Sequence, residues 1–388
     1  MLKFARNLFS RGDAHTGLSF SRPLVILQSD DWGRVGVRDR EGFEFLRGRG
    51  LRLGEHPYDL YSLEKADDVS ALAALLATHH DSSGRPPCVV MNFCTANLDF
   101  KKMRQQSFQK IELLPLSRGL PGEWSRPGLI EAYRAGVQKG VFHPALHGLQ
   151  HFSTVAVENA LAENGERAKL LRLMWEAETP SIYWRMPWIG FEYWNPEKPN
   201  AGFLPLERQR NMILQASENL YAMFGTHATS ACAPGYRAND DTHLCLHEAG
   251  IRVAQNGTGS GLKAPHVDEL GILHVYRNID FEPSQREQDN DRYLKIAGAC
   301  FSHGIPVVIS IHSINFHSSL KDFRTSSLAA LDSLLSDLEK KFPELLYVHD
   351  QDLHAIATEG TFRNRHEKIT VSATQREWKA SIAHQGAV

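Results

Sequence analysis

Cysteine is scarce and scattered in this chain. There are five in 388 residues, at Cys88, Cys94, Cys232, Cys245 and Cys300, with no Cys-x-x-Cys pair. An odd number so widely spaced argues against a disulfide framework or a cysteine zinc knuckle and suits a reducing compartment. Long apolar runs are missing as well, and no stretch approaches the roughly 18–20 residues a membrane span needs. The opening segment Met1–Arg11 has basic residues but no continuous apolar core, so it does not read as a secretory signal, and the expected location is the cytoplasm. Charge of one sign is absent too. With 43 basic and 45 acidic residues the net charge is −2, which leaves no electrostatic footprint for a nucleic acid. Hydrophobic content of 42% and charged content of 23% are those of a globular protein with ample core.

What the chain has in excess is histidine, with nineteen residues, which directs attention to metal or proton chemistry. Apolar strand-like runs recur at 24–27, 88–93, 140–146, 230–233, 251–254, 271–276, 307–311 and 345–348. Helical periodicity lies between several of them, at 69–79, 161–178, 206–224, 241–249, 292–303 and 326–341. Strands alternating with helices imply an α/β fold with parallel pairing, and about seven such units fit a (β/α) barrel over residues 22–360. Two stretches interrupt the repeat, near 95–135 and 179–205. The second gathers three of the seven tryptophans and reads as a candidate aromatic lid or a packed excursion. Residues 1–21 read as an N-terminal extension, and 361–388 as a polar C-terminal tail.

Functional residues of such barrels sit at the C-terminal ends of strands. The first strong strand ends in Ser29-Asp30-Asp31-Trp32-Gly33. Side chains alternate along a strand, and adjacent carboxylates repel unless a cation or a shared proton separates them. A middle strand delivers His147-Gly148-Leu149-Gln150-His151. If Gly148 opens a helical turn, two imidazoles four residues apart share one face and can clamp a divalent ion, with Asp31 completing a three-ligand set. His143 and His147 are an alternative pair. Pro144 and the apolar run favour an extended segment there, in which four residues span over ~13 Å at ~3.3 Å each, so His147 with His151 is preferred. A late strand ends in Ile311-His312-Ser313, placing an imidazole at the rim where a charge switch near neutral pH is useful.

In this order the three elements resemble the polysaccharide deacetylase (NodB-homology) family, over about residues 22–320. The Asp-Asp-Trp-Gly run is also similar to the YdjC-type carbohydrate deacetylases. The resemblance implies a distorted deacetylase barrel holding one divalent metal, zinc or else cobalt, nickel or iron(II). It carries the general-base role to Asp30, metal ligation to Asp31, His147 and His151, and the general-acid role to His312. Gly148 stands where the family has Ser or Thr. Ala233-Pro234-Gly235-Tyr236-Arg237 resembles the family's Arg-x-Pro motif, except that Cys232 occupies the arginine position, with Arg237 a candidate replacement. The family's acid-and-tryptophan motif is matched only by Asp280. Trp32, Pro234, Tyr236 and Arg237 are the expected substrate-binding residues.

The resemblance further implies hydrolysis of an N-acetyl or other acyl group on a carbohydrate, with a small-molecule or glycan substrate. A metal-dependent amidase or esterase on a non-sugar substrate is the alternative. So is an inactive carbohydrate-binding relative, in which loss of the arginine has ended catalysis. Neither the sugar nor the oligomeric state is set by the sequence.

Overall fold

The computed structural model describes residues 15–182, 186, 188, 190–259, 261–364 and 367–378. Residues 1–14 and 379–388, at the outer ends of the expected extension and tail, lie outside these, as do 183–185, 187 and 189 of the aromatic segment. The strand Leu24–Trp32 (β1) is buried along all its nine residues, the pattern of a parallel-sheet centre covered on both faces. Around it run Val89–Phe93 (β2), Phe142–Leu146 (β3), Ser230–Cys232 (β4), Val253–Asn256 (β5), Leu273–Tyr276 (β6), Ile279–Asp280 (β7) and Val307–His312 (β8). They pair in parallel in the order β6-β5-β4-β3-β2-β1-β8-β7. Short strands at Leu346–Tyr347 and His266–Val267 add to β1 and to the outer edge of β6.

Among the described residues the hydrogen-bonded sheet has the expected parallel α/β pairing but does not close into the expected barrel. The two strands that end the parallel order, β6 and β7, are nevertheless successive in the chain, separated only by Arg277 and Asn278. There the backbone changes partner. Arg277 N–H donates to Asn256 O of β5 (3.1 Å) and Asn278 N–H to Val308 O of β8 (3.1 Å). The Asn278 side chain bridges the same gap, accepting from Val308 N–H (2.9 Å) and donating to Pro306 O (2.8 Å).

Strand alternation sorts the inner face of the sheet into layers. Leu24, Ile26, Val90, Ala145, Val253, Leu273, Val275 and Val308 form one apolar cluster. One pleat further along the same strands come Gln28, Asn92, Gln255, Arg277 and Ser310, all buried and polar. The change from apolar to polar within single strands places a hydrophilic floor beneath their C-terminal ends.

Helices bury their apolar faces against the outside. Leu206–Phe224 has the bounds its periodicity predicts, whereas the span 161–178 is two helices, Thr154–Glu163 and Glu166–Glu176. Asn164 at φ +51° and the following Gly165 break it. The 95–135 interruption includes the start of a regular crossover helix, Leu129–Gln138, that leads into β3. The segment read as a polar tail is also structured. Thr361–Asn364 pairs with Glu367–Thr370, and Ala373–Trp378 pairs antiparallel with His15–Phe20, covering Phe362 and Val371.

Trp32, expected to face substrate, instead belongs to the core. Its side chain is 0% exposed, stacked on Phe316 (5.9 Å) and edge-on to Tyr133 (6.3 Å). Its indole N–H donates to Ser29 Oγ (2.9 Å), which satisfies the one polar atom burial would orphan. Trp32→Ala should therefore lower unfolding free energy by about 3–5 kcal/mol in a denaturant titration. An unchanged midpoint with a raised KM would restore the substrate-contact reading.

Candidate active site

Two neighbouring strand residues ordinarily face opposite ways, yet Asp30 and Asp31 both line one cavity. The pairing of β1 with β2 slips between Ser29 and Trp32, and Asp31 takes the left-handed backbone (φ +70°). This bulge re-aims the second carboxylate beside the first. Asp30 stays in register with His312 of β8.

Asp30 is gripped by Arg277. The guanidinium donates through Nη2 to Oδ1 and through Nη1 to Oδ2, both at 2.6 Å, and Asn92 Nδ2 adds 2.7 Å to Oδ1. Burial alone would raise the carboxyl's pKa, but Arg277, His147 and His312 outweigh it and hold the group ionised well below the usual range. The buried arginine that holds Asp30 thus comes from the β6–β7 junction, not from position 232. Arg237, the expected replacement, is exposed and packs over Phe191 (5.6 Å) and Trp194 (5.4 Å), away from Asp30. Pro234 is buried in the turn after β4, and its neighbours Gly235 and Tyr236 line the cavity instead. Tyr236 Oη accepts from Arg277 (2.6 Å) and lies 3.4 Å from Asp30 Oδ2.

Asp31 faces two imidazoles. Its Oδ2 accepts from Arg34 (3.0 Å), while Oδ1 is buried without a hydrogen bond, 3.7 Å from His147 Nε2 and 3.8 Å from His151 Nε2. Burial would raise its pKa, but Arg34 together with the nearby imidazoles outweighs it and keeps Asp31 ionised. His147 Nδ1 lies 2.7 Å from the Cys232 carbonyl, which only accepts, so Nδ1 carries a proton and Nε2 faces Asp31. Burial drives His151 down to about 3, leaving it neutral. An anionic oxygen and two imidazole Nε2 atoms converging in a buried space suit a divalent cation. His143 lies elsewhere, stacked on His349 at 4.2 Å.

His312 completes the ring. Its Nδ1 is 2.5 Å from Glu282 Oε1 and its Nε2 is 3.9 Å from Asp30 Oδ2. Its side chain is 26% exposed, the most open of the five. Burial would lower its pKa, but Glu282, Asp30 and Asp31 raise it to about 10 in the ion-free protein. Asp280, the expected acid of that segment, is engaged at the rim by Arg286 (2.5 Å). Glu282 and Arg277 had a readable signal, since charged side chains interspersed with the apolar residues of 271–282 must be paired if buried.

The histidine turn rests on Glu192, from the aromatic segment. Its buried carboxyl accepts from the N–H groups of Leu149 (3.0 Å) and Gln150 (3.3 Å), and burial raises its pKa to about 8 against those bonds. Part of this segment is therefore a brace rather than a lid. Gly148 has φ +96°, and a Cβ there would lie 1.8 Å from Glu192 Oε2, which accounts for glycine where a hydroxyl residue is usual in the resembling family. Gly148→Ala should cost about 1–3 kcal/mol of stability. Combined with Glu192→Ala the loss should fall short of the sum of the single losses, because the clash has gone. Strict additivity in a double-variant unfolding cycle would contradict this packing.

No family model matches the chain, and no curated protein matches it in sequence. Among solved structures it is similar to one from Mycobacterium smegmatis assigned as a polysaccharide deacetylase, with 12% identity, TM-score 0.46, and 86% of this chain and 89% of that one covered. It is similar to the family 4 carbohydrate esterase from Streptomyces lividans, with 12% identity, TM-score 0.34, and 84% and 92% covered. It is also similar to a 4-alpha-glucanotransferase from Thermococcus litoralis, with 10% identity, TM-score 0.48, and 87% of this chain but 41% of that one covered.

Proposed function

We propose that the protein is a metal-dependent hydrolase that removes an N-acetyl or other acyl group from a carbohydrate, an amino sugar or carrier-linked glycan, by breaking an amide C–N bond. The observation that carries this reading is the unpartnered Asp31 Oδ1 facing two imidazole Nε2 atoms, with an arginine-clamped Asp30 and a glutamate-paired His312 beside it. We also read the sheet, with its partner switch at Arg277-Asn278, as a seven-strand barrel in which β6 and β7 count as one strand. The five buried, unpaired cysteines support a cytoplasmic setting.

Asp31, His147 and His151 would hold the ion, zinc being well suited to two imidazoles and a carboxylate. When bound, it supplies Lewis acidity that polarises an acyl carbonyl and makes water easier to deprotonate. Asp30 accepts a proton from the attacking water as the new C–O bond forms. Arg277 fixes the orientation of that carboxylate and keeps it unprotonated beforehand. His312 Nε2 gives its proton to the amine nitrogen as the C–N bond breaks, and Glu282 keeps the imidazole charged until then. Tyr58, Phe191 and Tyr236 offer ring faces around a cavity of about 300 Å³, which suits a sugar ring. Arg277 on Asp30 also favours a working enzyme over an inactive binding relative.

Elemental analysis after dialysis should find one divalent ion fewer per chain in His151→Ala than in wild type. The variant should lose deacetylation of a panel of N-acetylated sugars. Equal metal content in both, or wild-type turnover without the ion, would refute the metal assignment. Activity confined to simple acyl esters would favour the non-sugar reading.

Glu282→Gln tests the acid. The paired, charged His312 stabilises the ion-free fold fully below its ordinary 6.5, and that contribution fades as pH rises toward about 10. A bound cation beside Asp31 draws the working value below that. Removing Glu282 should move the alkaline limb of kcat down by about one pH unit or more, with little change in KM. An activated ester, whose leaving group needs no proton, should show a much smaller shift. An unmoved limb would separate His312 from proton delivery.

A further inference from the structure

Histidine remains in excess once the cavity is accounted for, and four imidazole or carboxylate groups gather on the outer face of the sheet. His266 and Asp268 stand two residues apart, on one side of a short strand and the residue after it. His274 lies directly opposite His266 across the antiparallel pairing. The inner face of β6 carries Leu273, Val275 and, one pleat on, Arg277, so His274 turns outward, toward the helix Asp240–Glu248. That helix contributes His243, whose ring meets His274 edge-on at 4.8 Å, while His266 stacks on the other side of His274 at 4.7 Å.

The carboxylate is held in place before any ligand arrives. Asp268 Oδ1 accepts from the N–H groups of Leu270 (3.0 Å) and Ile272 (2.8 Å), which aims Oδ2 at His274 Nε2, 3.1 Å away. Two atoms bound to one zinc at about 2.0–2.2 Å stand roughly this far apart. One ligand atom each from His243, Asp268 and His274 lie within 4.8 Å of one another. A plain His274–Asp268 hydrogen bond leaves the approach of a second imidazole from another element without a purpose.

We propose that His243, Asp268 and His274 form a second zinc site, separate from the catalytic cavity, that ties the helix Asp240–Glu248 to the sheet edge beyond β6. It needs no co-reactant and no part of the hydrolytic machinery. Two imidazoles and a carboxylate leave one position for water, and His266 shields the face of His274.

The probe is zinc alone, added to chelator-stripped full-length protein, with cobalt(II) absorption as a second reading. Wild type should take up two equivalents, and His151→Ala and His243→Ala one each. The His151→Ala/His243→Ala double variant should take up none. His243→Ala should keep its hydrolytic activity, and zinc should raise the thermal midpoint of His151→Ala but not of the double variant. Asp268→Asn serves as a second variant should His243→Ala misfold. Zinc uptake lost entirely in His151→Ala, or unchanged in both His243→Ala and Asp268→Asn, would overturn the proposal. A single equivalent that survives His151→Ala and disappears in His243→Ala would uphold this site and refute the catalytic one.

Discussion

The buried pairing of Arg277 with Asp30 is the interaction on which the architecture turns. Removing a guanidinium and a carboxylate from water costs several kcal/mol each, and mutual attraction offsets this only when every remaining donor is satisfied. Here all three guanidinium nitrogens are engaged. Nε donates to Gln28 (3.1 Å), Nη2 to Asp30 and Gln255 (3.0 Å), and Nη1 to Asp30, Tyr236 and Ser310 (3.0 Å). Gln28 and Gln255 pass the network to the buried Asp350, each at 2.8 Å. The polar layer thus has two carboxylates around one fixed cation, joined by amides that lock the strands in rotation as well as in register.

Such a grip trades basicity for position. A carboxylate held so far below its usual pKa is a weak base, and a base works best with a pKa near the working pH. Under the proposed mechanism the arrangement suits a water that is itself made acidic, with Asp30 taking the proton at a fixed angle and releasing it readily. His312 is biased the opposite way, toward staying charged. The two groups are 3.9 Å apart at their nearest atoms, and environment alone separates their roles.

Much of this was legible in the chain. Asp30, Asp31, His147, His151 and His312 stand out because each follows an apolar strand, and strand tips of an α/β fold converge at one end. The bulge that lets Asp30 and Asp31 face one cavity was not legible, since it depends on the slip against β2. Trp32 was misread because an aromatic beside acids looks like a substrate platform, whereas its indole closes the core against Tyr133 and Phe316. Arg277 was overlooked because the family's spacing directed attention to position 232. The strands of 361–378 carry few apolar residues, and what organises them is a partner at 15–20, remote in sequence.

Arg277 and Glu282 sit five residues apart on one short segment, and one is the counter-ion of the proposed base while the other is the counter-ion of the proposed acid. Any slide of that segment along the strand direction would loosen both pairs in the same stroke. Proton affinity at the two groups is therefore geared together: backbone movement drives one up as it drives the other down, and only side-chain replacement can adjust either alone. Evolution of a new pH range in this scaffold would have to proceed at positions 277 and 282 by substitution, not by reshaping the strand that carries them.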